Sequence, residues 1–108
     1  SDAPAWQTTA GSLGTFAGGT NGTLVTVSAT GDTVVYSEST NVLTNSGQAN
    51  CTLNASTGVI SSTNFGGSAT AATTYSFTLV ATDAQNQTSS RNFTISSSYG
   101  ATGGGQFN

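Results

Sequence analysis

The chain has 108 residues, the length of one domain, and only 5% of them are charged, where soluble domains carry roughly a quarter. The charged set is Asp2, Asp32, Glu38, Asp83 and Arg91, a formal net charge of −3 with no Lys, His or Met. That excludes most catalytic and nucleic-acid-binding repertoires: a hydroxyl or thiol nucleophile lacks a basic partner, and one Arg cannot neutralise a phosphate backbone.

In place of charge the chain carries 21 Thr and 16 Ser, with 14 Gly and 9 Asn. Disorder goes with high net charge and few β-branched or aromatic residues. Here the Thr residues, five Phe, three Tyr and one Trp favour pleated, half-buried strands instead. The first strand-like run covers residues 6–16, broken at Gly11 and Gly14, which predicts a bulge or a switch between sheets. It ends in the hairpin signal Asn21-Gly22. Residues 24–30 then alternate, with Val25, Val27 and Ala29 on one face and Thr26, Ser28 and Thr30 on the other. Gly31-Asp32 turns the chain into a third strand over 33–38, and a polar crossing, 39–50, leads to a short strand at 51–53.

A turn at 54–58 precedes a strand at 59–61, and residues 62–73 read as loop. The strongest pattern lies at 74–82, where Tyr75, Phe77, Leu79 and Ala81 point one way and Ser76, Thr78, Val80 and Thr82 the other. Residues 83–88 form a hairpin in which Asn86 takes the left-handed conformation. The last strand, 90–97, turns Phe93 and Ile95 inward. Seven short strands with turn signals every 8–12 residues describe an all-β sandwich over residues 1–98. Residues 99–108 form a Gly-rich C-terminal tail or linker, in which Tyr99 and Phe107 are the candidate intermolecular contacts.

No apolar run approaches the ~20 residues of a membrane span, and no basic segment followed by an apolar one opens the chain. The chain therefore reads as soluble, without membrane insertion, and its lack of an initiator Met as a processed product or a fragment. Cys51 reads as a small buried hydrophobe, with an interchain disulfide or a reactive thiol as the alternatives.

Several stretches together carry a family resemblance: Asp2-Ala3-Pro4-Ala5-Trp6, Gly11-Ser12-Leu13-Gly14-Thr15-Phe16, Thr57-Gly58-Val59-Ile60-Ser61, the run Thr74-Tyr75-Ser76-Phe77-Thr78-Leu79-Val80-Ala81-Thr82-Asp83-Ala84, and Ser90-Arg91-Asn92-Phe93-Thr94-Ile95. They resemble the dystroglycan-type cadherin-like and immunoglobulin-like domains found in bacterial surface proteins and tailed-phage virions. The Gly-rich ending resembles the close of a marine phage tail or decoration protein. The resemblance implies an immunoglobulin/cadherin-like seven-stranded Greek-key β-sandwich, used as a spacer, adhesive or decorating module.

Related domains bind calcium between repeats, and Asp83 matches the family's position at the end of its strand. No acidic cluster or Asp-rich linker accompanies it here, whereas Ca²⁺ takes 6–8 oxygens with several carboxylates. The simpler role is an acceptor for backbone N–H groups in the turn up to Gln87. Zinc would have only Cys51 to use. Asp32 and Glu38, ~20 Å apart if the strand between them is extended, are too distant for a glycosidase pair. No catalytic residue, cofactor site or metal site is therefore expected. Trp6 is read as a clasp closing one end of the sandwich, with a sugar-stacking platform as its alternative.

The functional expectation is a non-enzymatic structural or adhesive module of a virion or extracellular appendage. Its partners would be other virion or surface subunits, in a homo-oligomer or larger assembly. A carbohydrate-binding module that meets cell-surface glycans through the 39–50 and 62–73 loops is the alternative. Outward strand positions such as Ser76, Thr78, Asn92 and Thr94 hold hydroxyls and amides where Lys and Glu are usual. A face or edge without charged guards is expected to be covered by a neighbour.

Overall fold

The structure, a computed structural model, describes residues 2–99. Nine strand segments run in chain order: β1 (Ala5–Trp6), β2 (Gly11–Phe16), β3 (Gly22–Thr26), β4 (Ala29–Thr30), β5 (Val35–Glu38), β6 (Cys51–Leu53), β7 (Val59–Ser62), β8 (Thr73–Thr82) and β9 (Thr88–Ser97). A four-stranded sheet has the order β2-β9-β8-β5, a three-stranded sheet β3-β7-β6, and β1 pairs with β4. β1 and β2 are two halves of one strand, as are β3 and β4. The seven predicted strands are therefore present as nine segments, arranged as a Greek-key sandwich.

The first strand divides because it changes sheets. β1 pairs antiparallel with β4, and β2 then joins β9 in parallel. The register between β2 and β9 slips between Ser12 and Thr15, and Gly14 inside that slip has φ 128°, a conformation that residues with a Cβ rarely adopt. The sequence signal for a bulge or a sheet switch thus marks both.

β8 and β9 form the centre of the fold, paired without a slip from Thr73↔Ser97 to Thr82↔Thr88. Their turn is closed by Asp83 N–H donating to the Gln87 carbonyl at 3.0 Å, with Asn86 at φ 64° as predicted. Tyr75, Phe77, Leu79, Ala81, Phe93 and Ile95 point into the sandwich, where they share a core with Ile60 of the other sheet and with Val27, between β3 and β4. Val25, Val27 and Ala29 are more buried than Thr26, Ser28 and Thr30, as their alternation predicts.

Three features depart from the sequence expectation. The third strand begins at Val35 rather than at residue 33, because Thr33 takes a left-handed φ of 54° and belongs to the turn. The polar crossing 39–50 is no surface loop throughout, since Leu43 and Ala49 are fully buried. The 62–73 segment likewise sends Phe65 into the core, edge-on to Phe16 and Tyr75.

Candidate functional site

The pairing of β8 with β9 and β5 determines which side chains face outward from the four-stranded sheet. Thr74 stands opposite Ser96, Ser76 opposite Thr94, Thr78 opposite Asn92, Val80 opposite Ser90 and Thr82 opposite Thr88. On β5, Val35 and Ser37 share this side. No charged residue occupies any of these positions. Two pairs are joined by side-chain hydrogen bonds: Thr78 Oγ1 donates to Asn92 Oδ1 at 2.7 Å, and the Thr74 and Ser96 hydroxyls lie 2.9 Å apart. Near the middle of the face is a concavity of about 370 Å³, lined by Gly11, Thr40, Ser76, Phe77, Thr78, Asn92, Phe93 and Thr94. Phe77 and Phe93 have their rings in the core, so strand backbone contributes to its floor.

Glu38, at the end of β5, organises the rim beside Thr40. Its Oε2 accepts from Thr40 Oγ1 (2.7 Å), Val42 N–H (2.7 Å) and Leu43 N–H (2.8 Å), and Oε1 accepts from the Thr44 N–H and hydroxyl, both at 2.9 Å. Partial burial pushes the carboxyl's pKa up, but the Thr40 hydroxyl and the three amides outweigh it and hold the group below its ordinary value. Thr40 Oγ1 also accepts the Thr78 N–H at 3.1 Å, tying this loop to the central hairpin. Nothing in the spacing of the polar stretch reveals this carboxylate, because the loop backbone supplies most of its partners.

The sheet edges are β2 and β5 in one sheet and β3 and β6 in the other. β2, β3 and β6 contain no charged residue, and the single charge on β5 is Glu38, committed to the loop. The large apolar side chains exposed among the described residues are Tyr99, at 68%, and Val35, at 47%. Val35 borders a second concavity of about 550 Å³ with Ala29, Thr30 and Ser56. Tyr99 sits just past β9, while Phe107, its predicted companion, lies outside the described residues.

Trp6 is 8% exposed and packs against Tyr36 and Phe93, with ring centroids 5.8 and 5.4 Å away. Its indole N–H donates to the Ser89 carbonyl at 3.0 Å. It is the end clasp and leaves no platform for a sugar. The loops expected to hold a glycan expose no aromatic either, since Phe65 is the only aromatic residue in them and is buried.

Asp83 takes the turn role: Oδ1 accepts the Gln85 and Gln87 amides, each at 2.9 Å. Its Oδ2 is buried without a hydrogen-bond partner, and no group of three His, Cys, Asp or Glu side chains able to hold a metal occurs among the described residues. Cys51 is a buried free thiol whose pKa is pushed up to about 12, by burial and then by the nearby Glu38 charge. Arg91 donates to the Thr8 carbonyl at 2.9 Å. No helix of the structure is long and apolar enough to cross a membrane.

No protein-family model matches the sequence, and comparison with curated proteins gives no match. Among solved structures the fold is similar to cadherin domains. The third cadherin domain of human protocadherin 7 aligns with TM-score 0.64 at 14% identity, over 90% of this chain and 87% of that one. Extracellular cadherin domains 3–6 of protocadherin gamma B2 align with TM-score 0.66 at 19% identity, over 85% of this chain and 22% of that one. Mouse cadherin-23 EC22–24 aligns with TM-score 0.60 at 21% identity, over 86% and 31%. The chain thus matches one repeat of these multi-repeat fragments. At such identities the likeness shows the fold alone, an immunoglobulin/cadherin-like β-sandwich.

Proposed function

We propose that this chain is a non-enzymatic packing and attachment module of an extracellular assembly, either a virion decoration, tail or fibre or a cell-surface appendage. The observation that carries this reading is the absence of any charged side chain on the edge strands β2 and β3. Isolated sandwiches protect their edge strands with Lys, inward charges, Pro, bulges, short strands or covering loops. β2 and β3 carry no charge or Pro and have only a register slip each, while the three-residue β6 is partly covered by the loop whose Leu43 carbonyl accepts the Cys51 N–H. Exposed Tyr99, the first residue of the Gly-rich 99–108 segment, adds an apolar side chain just past the end of β2, where the Ser98 N–H donates to the Phe16 carbonyl. Such edges suit a chain whose backbone N–H and C=O groups are covered by neighbouring copies or other subunits. The cadherin-like fold supports an adhesive role, since repeats of that architecture occur in the extracellular proteins it resembles.

The test is association of the whole chain, followed by sedimentation velocity across a wide concentration range. The expected result is a concentration-dependent shift to larger species. Thr15→Lys on β2, Thr23→Lys on β3, or truncation after residue 98 should weaken it. A monodisperse monomer at the highest concentration, unchanged by all three alterations, would overturn the reading.

A further inference from the structure

We propose that the concavity on the outer face of the four-stranded sheet is a subsite for one neutral sugar unit of a surface polysaccharide. This deepens the attachment half of the reading above and relies on it only for where such a ligand is met. The space, about 370 Å³, is at the small end of ligand pockets, which run from roughly 300 to 1,000 Å³. It opens at Gly11, where an added Cβ would meet nothing within 4 Å, so the lack of a side chain leaves a notch through which a chain can continue.

The polar groups are arranged for hydroxyls. Because Thr78 donates to Asn92 Oδ1, the Asn92 amide keeps both N–H donors of Nδ2 for a ligand. Ser76 and Thr94 stand opposite each other in register, and neither hydroxyl nor Asn92 Nδ2 bonds to another described group. Each hydroxyl both donates and accepts, which matches a sugar hydroxyl doing the same. An apolar partner would leave these groups buried and unsatisfied, at a cost.

The walls also select against charge. The nearest carboxylate, Glu38, is turned to the amides of residues 42–44, and Thr40 between it and the concavity spends its hydroxyl on Glu38 and the Thr78 amide. A phosphate, sulfate or ammonium ligand therefore finds no ion to pair with. No aromatic ring is presented for stacking, so one sugar binds weakly, with Kd on the order of millimolar. Firm attachment then comes from many copies on one assembly.

The experiment is an amide-resolved NMR titration of the whole chain with glucose, galactose, mannose, N-acetylglucosamine and neutral oligomers of each. At least one should give saturable shifts at residues 76–78 and 92–94. Asn92→Asp keeps the acceptor for Thr78 but removes both N–H donors. It should weaken binding about tenfold or more, through the lost hydrogen bonds, while the variant's melting temperature shows that it still folds. Absence of saturable shifts with the whole panel, shifts confined to other surfaces, or undiminished binding by Asn92→Asp would each overturn the proposal. Shifts of this face with protein concentration alone, indifferent to sugar, would also overturn it and assign the face to packing between copies. Sedimentation of the same samples keeps the two readings separate, since sugar binding by a strict monomer would retain the subsite and remove the packing role.

Discussion

The Val27 amide donates to the Gly58 carbonyl at 2.9 Å, and the Val27 carbonyl oxygen fills the space that a side chain on Gly58 would need. Gly58 has φ 76°, a conformation costing other L-residues roughly 1–2 kcal/mol before any clash. It closes the turn from β6 into β7 and pins it against the residue just past the end of β3. Gly58→Ala is expected to destabilise the fold by about 3 kcal/mol, adding that strain to a displaced backbone contact. Chemical denaturation measures this, and a loss below about 1 kcal/mol would mean that the turn relaxes freely.

Glu38 makes stability depend on acid. Its folded pKa lies below the ordinary 4.5, so its contribution is present above that value and is lost as pH falls through the lower folded value. Glu38→Gln keeps the size but replaces one acceptor oxygen with a donor facing amides. It should cost about 2 kcal/mol at pH 7, since amide groups lose their acceptor. The denaturation midpoint of the variant should fall less steeply below pH 4.5 than that of the parent chain. Parallel curves for the two proteins would show that the loop does not depend on the carboxylate charge.

Trp6 is the only Trp in the chain and bridges both ends of the sequence through Ser89, 83 residues away. Trp6→Ala removes its contacts with Tyr36 and Phe93 and leaves the Ser89 carbonyl without its donor, a loss of about 3–5 kcal/mol. Trp6→Phe, which keeps a ring but not the N–H, should fall between. In the parent chain the fluorescence emission should be blue-shifted and move to longer wavelength at the same denaturant midpoint as the circular dichroism. Emission already typical of water-exposed indole would contradict the clasp.

What the sequence discloses about this fold follows from how local each signal is. Residues 74–82 and 90–97 are legible because alternation over a long strand reports which face is buried, and Asn86 marks its own turn through its tolerance of positive φ. Gly11 and Gly14 show where the first strand breaks. Leu43, Ala49 and Phe65 are not legible in the same way. They sit singly in polar stretches without a period, and their burial depends on a loop wound around Glu38 or tucked beneath the hairpin. The outward positions of Ser76, Thr78, Asn92 and Thr94 can be read from alternation, but the concavity among them cannot, since it needs the register of β8 on β9 and the position of Thr40.

Cys51 provides a prediction of opposite sign to Glu38. Burial raises its thiol from an ordinary 9.0 to about 12, with the Glu38 charge as a smaller cause. The folded state therefore disfavours the thiolate, while the unfolded chain releases its proton near 9. Stability should fall as pH rises from 9 towards 12, and Cys51→Ala should lack that part of the decline. At pH 8 the native chain should resist a thiol-specific reagent, because the thiolate is the nucleophile and very little of it forms. Labelling should then proceed only at the rate of unfolding and become fast in denaturant. Rapid stoichiometric labelling of the native chain at pH 8 would show that the loop over β6, where Leu43 O accepts the Cys51 N–H at 2.8 Å, opens far more readily than its hydrogen bonds to Glu38 imply.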